Sequence, residues 1–358
     1  MGQKKVNELK VGSIITYINL IISTIIPLLY TPIMLRILGQ EEYGLYSLSN
    51  SVISYLTLLN FGFGTAIIRF ISKFRIEGDH DKIEGVTGLI LSIYGIIAIV
   101  VCIVGFLLTK GTGLFFGTGL TVNEIQRLKV LMIIMTVSTA ISFPVSVLSS
   151  VSVAYEKYIF RKMVDMIATI ATPILNLIVL FLGYASIGLA MIGLGIQLIY
   201  GIIFIWYCKQ KLNVVPRFKD MPFYMVKEIL GFSIYVFASS IIDMLYWATD
   251  KVLIGAVLGT VAVAVYNIGG TFTSMLQNMS SAISGVFGTR VNMMVFGNQP
   301  MEKLSELLIR IGRLQYYIVS LILSGYIVFG KIFIDVWAGK DYSQAYIIGL
   351  LTMVPLAV

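Results

Sequence analysis

Asp243 is the first residue in this 358-residue sequence that could do chemistry, because it lies in the middle of an apolar run. Ser239 and Trp247 flank it by one helical turn on either side, and Asp250 and Lys251 continue the same face. An ionised carboxylate at the centre of a membrane helix costs at least about 2.5–3.5 kcal/mol, so such a group faces water or a partner and is a functional candidate by default. A carboxylate there can hold a proton or a cation. Asp250 and Lys251 lie closer to the end of the run, where mutual pairing or snorkelling explains them as well as a role does.

A second polar face occurs earlier. Asn19, Ser23, Tyr30 and Thr31 fall on one side of the first apolar run at helical spacing. A shift of 220 positions carries them onto Ser239, Asp243, Asp250 and Lys251. The same shift carries Leu38-Gly39 onto Leu258-Gly259 and Tyr46 onto Tyr266. After the second Leu-Gly, Asn267, Thr271, Ser274, Asn278 and Ser281 form another stripe, whose counterpart retains Ser47, Ser51 and Ser54 before turning apolar at Leu58 and Phe61. Arg69 and Arg290 follow the two glycines at nearly equal distances. The shift spans six apolar runs, an even number, so the two copies share one orientation and form a parallel repeat. Matching stripes on four helices describe the lining of a central cavity. Close helix packing produces similar stripes.

The elements that must position these residues are membrane helices. The chain is 58% hydrophobic and 12% charged, with a mean hydropathy of +0.91, against about 25% charged in soluble domains. Apolar runs long enough to cross about 30 Å of hydrocarbon recur at 11–38, 43–68, 84–109, 128–154, 163–182, 187–208, 229–256, 262–288 and 312–334, with a tenth from about 344. The expected fold is an all-α polytopic membrane protein. Pro27 and Pro32 inside the first run predict a kink or an unwound turn, and the break Gly39–Glu42 predicts a tight hairpin, a register mark more than a site. Placing the amino terminus in the cytoplasm collects 19 of the 26 lysines and arginines on that side, as topology signals require. Arg36 falls on the other side, near a helix end where it can snorkel. The segment 209–228, with Pro216 and Pro222, reads as a cytoplasmic linker between halves 1–208 and 229–358. The second half is expected to be truncated, because the apolar run from Ala345 has no polar flank.

The net charge of +8 comes from short loops, so no nucleic-acid partner is expected. Cys102, Cys208 and the single histidine, His80, form no ligand-like cluster, and neither a metal nor a cofactor is expected. The acidic group Glu77, Asp79, Asp81 and Glu84 lacks glycine-rich or nucleotide-binding surroundings. That argues against a membrane-embedded glycosyl or phosphoglycosyl transferase.

Pro27, Pro32, Arg36-Ile37-Leu38-Gly39, Glu42-Tyr43-Gly44-Leu45-Tyr46, Asn60-Phe61-Gly62-Phe63-Gly64 and Ile68-Arg69-Phe70 resemble the oligosaccharide flippases of the polysaccharide-biosynthesis family. That family lies within the superfamily of multidrug exporters and lipid-linked oligosaccharide flippases. Asp250-Lys251-Val252-Leu253-Ile254-Gly255, Leu258-Gly259 and Tyr266-Asn267 fit the same pattern. The resemblance implies two six-helix bundles around a cavity in the bacterial cytoplasmic membrane. It implies alternating-access movement of polyprenyl-pyrophosphate-linked sugar units for capsule, O-antigen or exopolysaccharide synthesis, in the company of membrane lipids, polymerases and glycosyltransferases. Arg69 and Arg290 would then attract the pyrophosphate at the cytoplasmic mouth, although ordinary positive-inside anchoring accounts for them too. Trp247 and the hydroxyl stripes suit sugar rings and sugar hydroxyls. The alternative within the same fold is a cation-coupled multidrug exporter with Asp243 as its proton or sodium site.

Overall fold

The computed structural model describes residues 2–61, 63–219, 225–297 and 299–357. The described residues are 90% helical and contain no strand. Among the described residues, six helical segments are long and apolar enough to cross a membrane: Ile21–Asn60, His80–Phe116, Val122–Ala154, Tyr158–Phe181, Ala185–Gln210 and Met301–Trp337. Their outward faces bear Ile96, Ile99, Ile103 and Phe106 at helical spacing, all exposed, while Tyr94 and Val101 are fully buried on the opposite face. Apolar side chains thus point both inward and outward, as hydrocarbon requires of a spanning helix.

Packing divides the chain into two units, Met1–Thr260 and Val261–Val358. In the first, α1 (Gly2–Ser54) is two helical arms, 2–38 and 40–54, joined at Gly39. A 3-10 turn, Tyr55–Asn60, follows, and then α2 (Phe63–Glu77), α3 (His80–Phe116), α4 (Val122–Ala154), α5 (Tyr158–Phe181), α6 (Ala185–Gln210), α7 (Val226–Trp247) and α8 (Thr249–Leu258). The core between α3 and α4 includes Val86, Leu89, Ile90, Leu128, Leu131, Phe143 and Val147. Gly105 lies directly against Thr136, with no room for a side chain, and this lets the two helix backbones approach closely.

The two ends of this unit differ. At one rim Glu42 of the second α1 arm accepts hydrogen bonds from Arg127 at the start of α4 and Ser186 at the start of α6. At the other, Arg75 near the end of α2 donates to the Ala154 carbonyl at the end of α4 (2.5 Å) and stacks on Tyr155. There, too, Arg217 pairs with Asp81 at 3.0 Å, and its backbone N–H donates to the Glu84 carbonyl. The stretch from Glu42 to Arg75 therefore runs from rim to rim.

The expected second and seventh spans are not continuous helices. The second is interrupted by the 3-10 turn and by Phe61, which is left-handed with φ 49°, and it continues eight residues past Arg69 to Glu77. The seventh breaks at Ala248 between α7 and α8. At the expected Gly39–Glu42 break the backbone departs from helix at Gly39 alone, and residues 40–42 are already helical. Gly39 has φ 74° and ψ 173°, a conformation open essentially to glycine alone, and Gly259 repeats it with φ 83° and ψ −174°.

In the second unit, α9 (Thr260–Phe296), α10 (Met301–Trp337), a 3-10 turn (Lys340–Tyr342) and α11 (Ala345–Ala357) follow one another. Phe272 packs on Tyr326, Phe333 and Trp337. Gln315 donates to the Ser284 hydroxyl at 2.6 Å, and Thr273 and Thr352 share a hydrogen bond of 2.6 Å.

Candidate functional site: two broken helices face each other

Unwinding a membrane helix frees carbonyls that hydrocarbon cannot hydrate, so a break persists only beside protein or water. The first break is served by Tyr94, whose fully buried hydroxyl donates to the Asn60 carbonyl at 2.9 Å and to the Asn60 side-chain oxygen. Around it Phe61 stacks on Phe63, and Phe63 packs at a tilt against Tyr94, an aromatic wall that continues to Phe143.

The second break meets the first. Tyr55 and Thr249 share a hydrogen bond of 2.7 Å between their hydroxyls, and Ser54 donates to the Met244 sulfur at 3.3 Å. Phe61 packs on Phe237 with ring centroids 4.7 Å apart. Two interrupted helices thus touch across hydroxyls and aromatic rings. Asp243 precedes Met244 and Trp247 precedes the break, so both belong to this meeting place in sequence. Asp243 is exposed and makes no hydrogen bond or ion pair among the described residues. Trp247 is half-buried and meets Tyr246 edge to face.

The other expected site residues are distributed as follows. Ser239 and Asp250 are exposed on α7 and α8, and Lys251 is half-buried. Ser23 is exposed on the first arm of α1, whereas Asn19 and Tyr30 are half-buried. Tyr30 faces Asn176 of α5, and the Tyr30 hydroxyl, the Asn176 amide oxygen and the Asn19 amide oxygen are buried with no hydrogen bond of standard geometry among the described residues. Ser47 and Ser51 are buried, and Ser51 returns its hydroxyl to the Ser47 carbonyl at 3.0 Å. Arg36 and Arg69 are exposed. In the second unit Thr271 donates to the Asn267 carbonyl at 2.9 Å, and Asn278 is exposed. The side chain of Arg290 lies outside the described residues. Among the described residues no group of three His, Cys, Asp or Glu side chains is placed to hold a metal.

Three features were not anticipated. Asp165 on α5 accepts from Tyr200 of α6 at 2.9 Å, with Arg161 one turn away at 4.0 Å. It stands seven residues into its helix, about 10 Å along the axis. A carboxylate so close to the start of an apolar run was readable, and so was the tyrosine in the next run. The partnership of Tyr94 with Asn60 and the burial of Asn176 had no signal in spacing alone.

Comparison with known proteins gives these features a family and a fold. The model of a family described as "Polysaccharide biosynthesis protein" matches residues 9–287. The chain belongs to that family. Its fold is shared with solved transporters at low identity. A multidrug resistance MATE family transporter of the MOP superfamily, in its inward-facing conformation, superposes with a TM-score of 0.70 at 16% identity, covering 94% of this chain and 76% of that one. A MOP superfamily transporter from Pyrococcus furiosus, described as having a binding pocket of reverse polarity, gives 0.65 at 15% identity over 95% and 76%. A MATE in complex with MaD3S gives 0.63 at 16% identity over 97% and 81%. No curated protein matches the chain. This member of the polysaccharide biosynthesis family is therefore a multi-pass membrane protein with the fold of a membrane transporter.

Proposed function

We propose that this protein flips polyprenyl-pyrophosphate-linked oligosaccharides across the bacterial cytoplasmic membrane by alternating access, without an enzymatic step. The observation that carries the reading is the family match over residues 9–287, joined to the meeting of two broken helices through Tyr55, Thr249, Ser54 and Met244, with Asn60 at the end of the first break held by Tyr94 of α3. Hydroxyls, an amide and aromatic rings at mid-membrane suit a sugar headgroup, whose polyprenyl tail remains in lipid. Asp243, Trp247 and Ser239 on α7 are the cargo-facing candidates from the second break, with Asn19, Ser23 and Tyr30 on α1. Arg69 draws the pyrophosphate, with Arg290 in the equivalent place. The matching conformations of Gly39 and Gly259 support a parallel repeat of halves 1–208 and 229–358 joined by 209–228.

In this reading the rim of Arg75, Arg217 and Lys82 is cytoplasmic, where Lys and Arg accumulate, and the rim of Glu42 is external. The amino terminus is then cytoplasmic. Glycosyltransferases that build the cargo and polymerases that consume it are the expected neighbours. The test is flipping of a fluorescent polyprenyl-pyrophosphate oligosaccharide in proteoliposomes. Transfer at the rate of protein-free vesicles defeats the proposal.

The similarity to multidrug transporters favours a second reading, cation-coupled export of organic cations with Asp243 as the proton or cation site. Efflux of ethidium driven by a proton or sodium gradient, with no oligosaccharide flipping, would select it.

A further inference from the structure

At the Glu42 rim, α8 and the first residue of α9 lie against the loop and helix start of α3 and α4. Thr260 donates its hydroxyl to Glu124 at 2.6 Å. Glu124 is also the third residue of the capping box that opens α4, accepting the Thr121 backbone N–H at 2.8 Å and the Thr121 hydroxyl at 2.7 Å. One carboxylate thus serves the starts of two helices, where the positive ends of their dipoles favour an anion. Beside it, Thr118 donates to the Ala256 carbonyl at 2.9 Å, one of the last four carbonyls of α8, which have no partner within the helix.

The backbones also close on one another here. A Cβ on Gly119 would stand 2.6 Å from the Gly255 carbonyl oxygen, and one on Gly259 would stand 2.7 Å from the Gly119 carbonyl oxygen. A Cβ on Gly44 would overlap the Thr260 carbonyl. Below this seam Leu48 is fully buried, with its methyl groups against Gly255.

We propose that this seam is a latch that seals the outer end of the protein, with the Thr260–Glu124 hydrogen bond as its fastener and the glycine contacts as its fit. Its chemistry suits release. Two hydrogen bonds hold the seam, one charge-assisted and one from hydroxyl to carbonyl, with glycine backbones in contact between them. By contrast, the Glu42 bonds to Arg127 and Ser186 fasten α1, α4 and α6 to one another and stay with the fixed side. The inference takes the outward direction from the proposed topology and requires nothing of the cargo.

The test is thiol labelling of Leu48→Cys in a protein carrying Cys102→Ala and Cys208→Ala, reconstituted in membranes. A membrane-impermeant maleimide is supplied from the face opposite Arg75. Thr260→Val removes the hydroxyl at constant shape and leaves the capping box intact, and labelling should accelerate about tenfold, the low end for a hydrogen bond to a charged group. Thr260→Ser keeps the hydroxyl and should label at the parental rate. Gly44→Ala, a favourable residue within a helix, wedges the seam and should accelerate labelling at least as much. Parental rates in both Thr260→Val and Gly44→Ala overturn the latch, as does acceleration by Thr260→Ser equal to that of Thr260→Val. Acceleration only when the reagent comes from the Arg75 face overturns the outward assignment. A protein that labels as expected but flips no oligosaccharide leaves the latch standing and removes the cargo.

Discussion

Gly39 and Gly259 share one backbone conformation but not one environment, and replacing each by alanine separates strain from fit. The shared conformation, with φ near +80° and ψ near 180°, costs a residue with a Cβ about 1–3 kcal/mol. At Gly39 no atom stands within 4 Å of the added Cβ, so Gly39→Ala should lose that strain energy alone. At Gly259 the Cβ would meet the Gly119 carbonyl oxygen at 2.7 Å, a backbone atom that moves only with its loop. Overpacking of this kind adds about 1–3 kcal/mol, so Gly259→Ala should lose roughly 2–6 kcal/mol in all. The assay is equilibrium unfolding of both variants in the same detergent micelle, followed by far-ultraviolet circular dichroism. Equal losses, or a larger loss for Gly39→Ala, would refute the part assigned to fit. A Gly39→Ala loss under about 0.5 kcal/mol, the range of an ordinary surface change, would refute the part assigned to strain.

Other outcomes follow from the same geometry. Tyr94→Phe leaves the Asn60 carbonyl without its donor inside the membrane, and the unfolding free energy should fall by about 1–3 kcal/mol; unchanged stability in the same micelle assay would count against the bond. Asp243→Ala should abolish or strongly reduce oligosaccharide flipping in proteoliposomes while membrane insertion stays normal, and wild-type flipping would remove Asp243 from the site. Cysteines at Ser23 and Ser239 should react with aqueous thiol reagents, whereas reaction confined to lipid-soluble reagents would make their stripes packing faces. Asp79 caps α3 by accepting the Lys82 backbone N–H at 3.0 Å, and its hydrogen bonds with Lys82 hold its carboxyl below the usual value of 3.8. Because the folded value is lowered, the cap stabilises above pH 3.8 and is lost as the pH falls through the folded value. Asp79→Asn, which caps without a charge, should remove that acid-side dependence in an unfolding titration, and a titration unchanged by the substitution would refute the cap's role.

Much of the architecture was legible in the sequence because hydropathy and short polar breaks are local signals. The hairpin at Gly39 needed only its glycine and the polar residues after it. The two helix breaks were not legible. Tyr55–Asn60 reads as more apolar helix, and no proline marks the place; the turn is held from outside by Tyr94, thirty-four residues later in the chain. The break at Ala248 contains neither proline nor glycine, although the 220-residue shift sets Trp247 on Pro27. The candidate site was legible as residue types and less so as placement. Ser47 and Ser51 lie on the stripe, yet they are buried, because helical spacing gives a face but not what the face meets. Asp165, a carboxylate near a helix end, reads as an interface residue in the sequence, and only its bond to Tyr200 distinguishes it. Glu42 marked the turn, but its bonds to Arg127 and Ser186 join positions 85 and 144 residues away.

The reliance of Asn60 on Tyr94 also bears on how the protein is made. A chain leaving the ribosome delivers its second crossing to the bilayer before its third, and at that moment the Asn60 carbonyl has no donor in hydrocarbon. The interrupted form is therefore unstable until residues 80–116 arrive. Up to that point the segment either stays beside the translocon or remains an uninterrupted helix. The donor that the second crossing needs for its break thus comes from α3, the crossing that follows it.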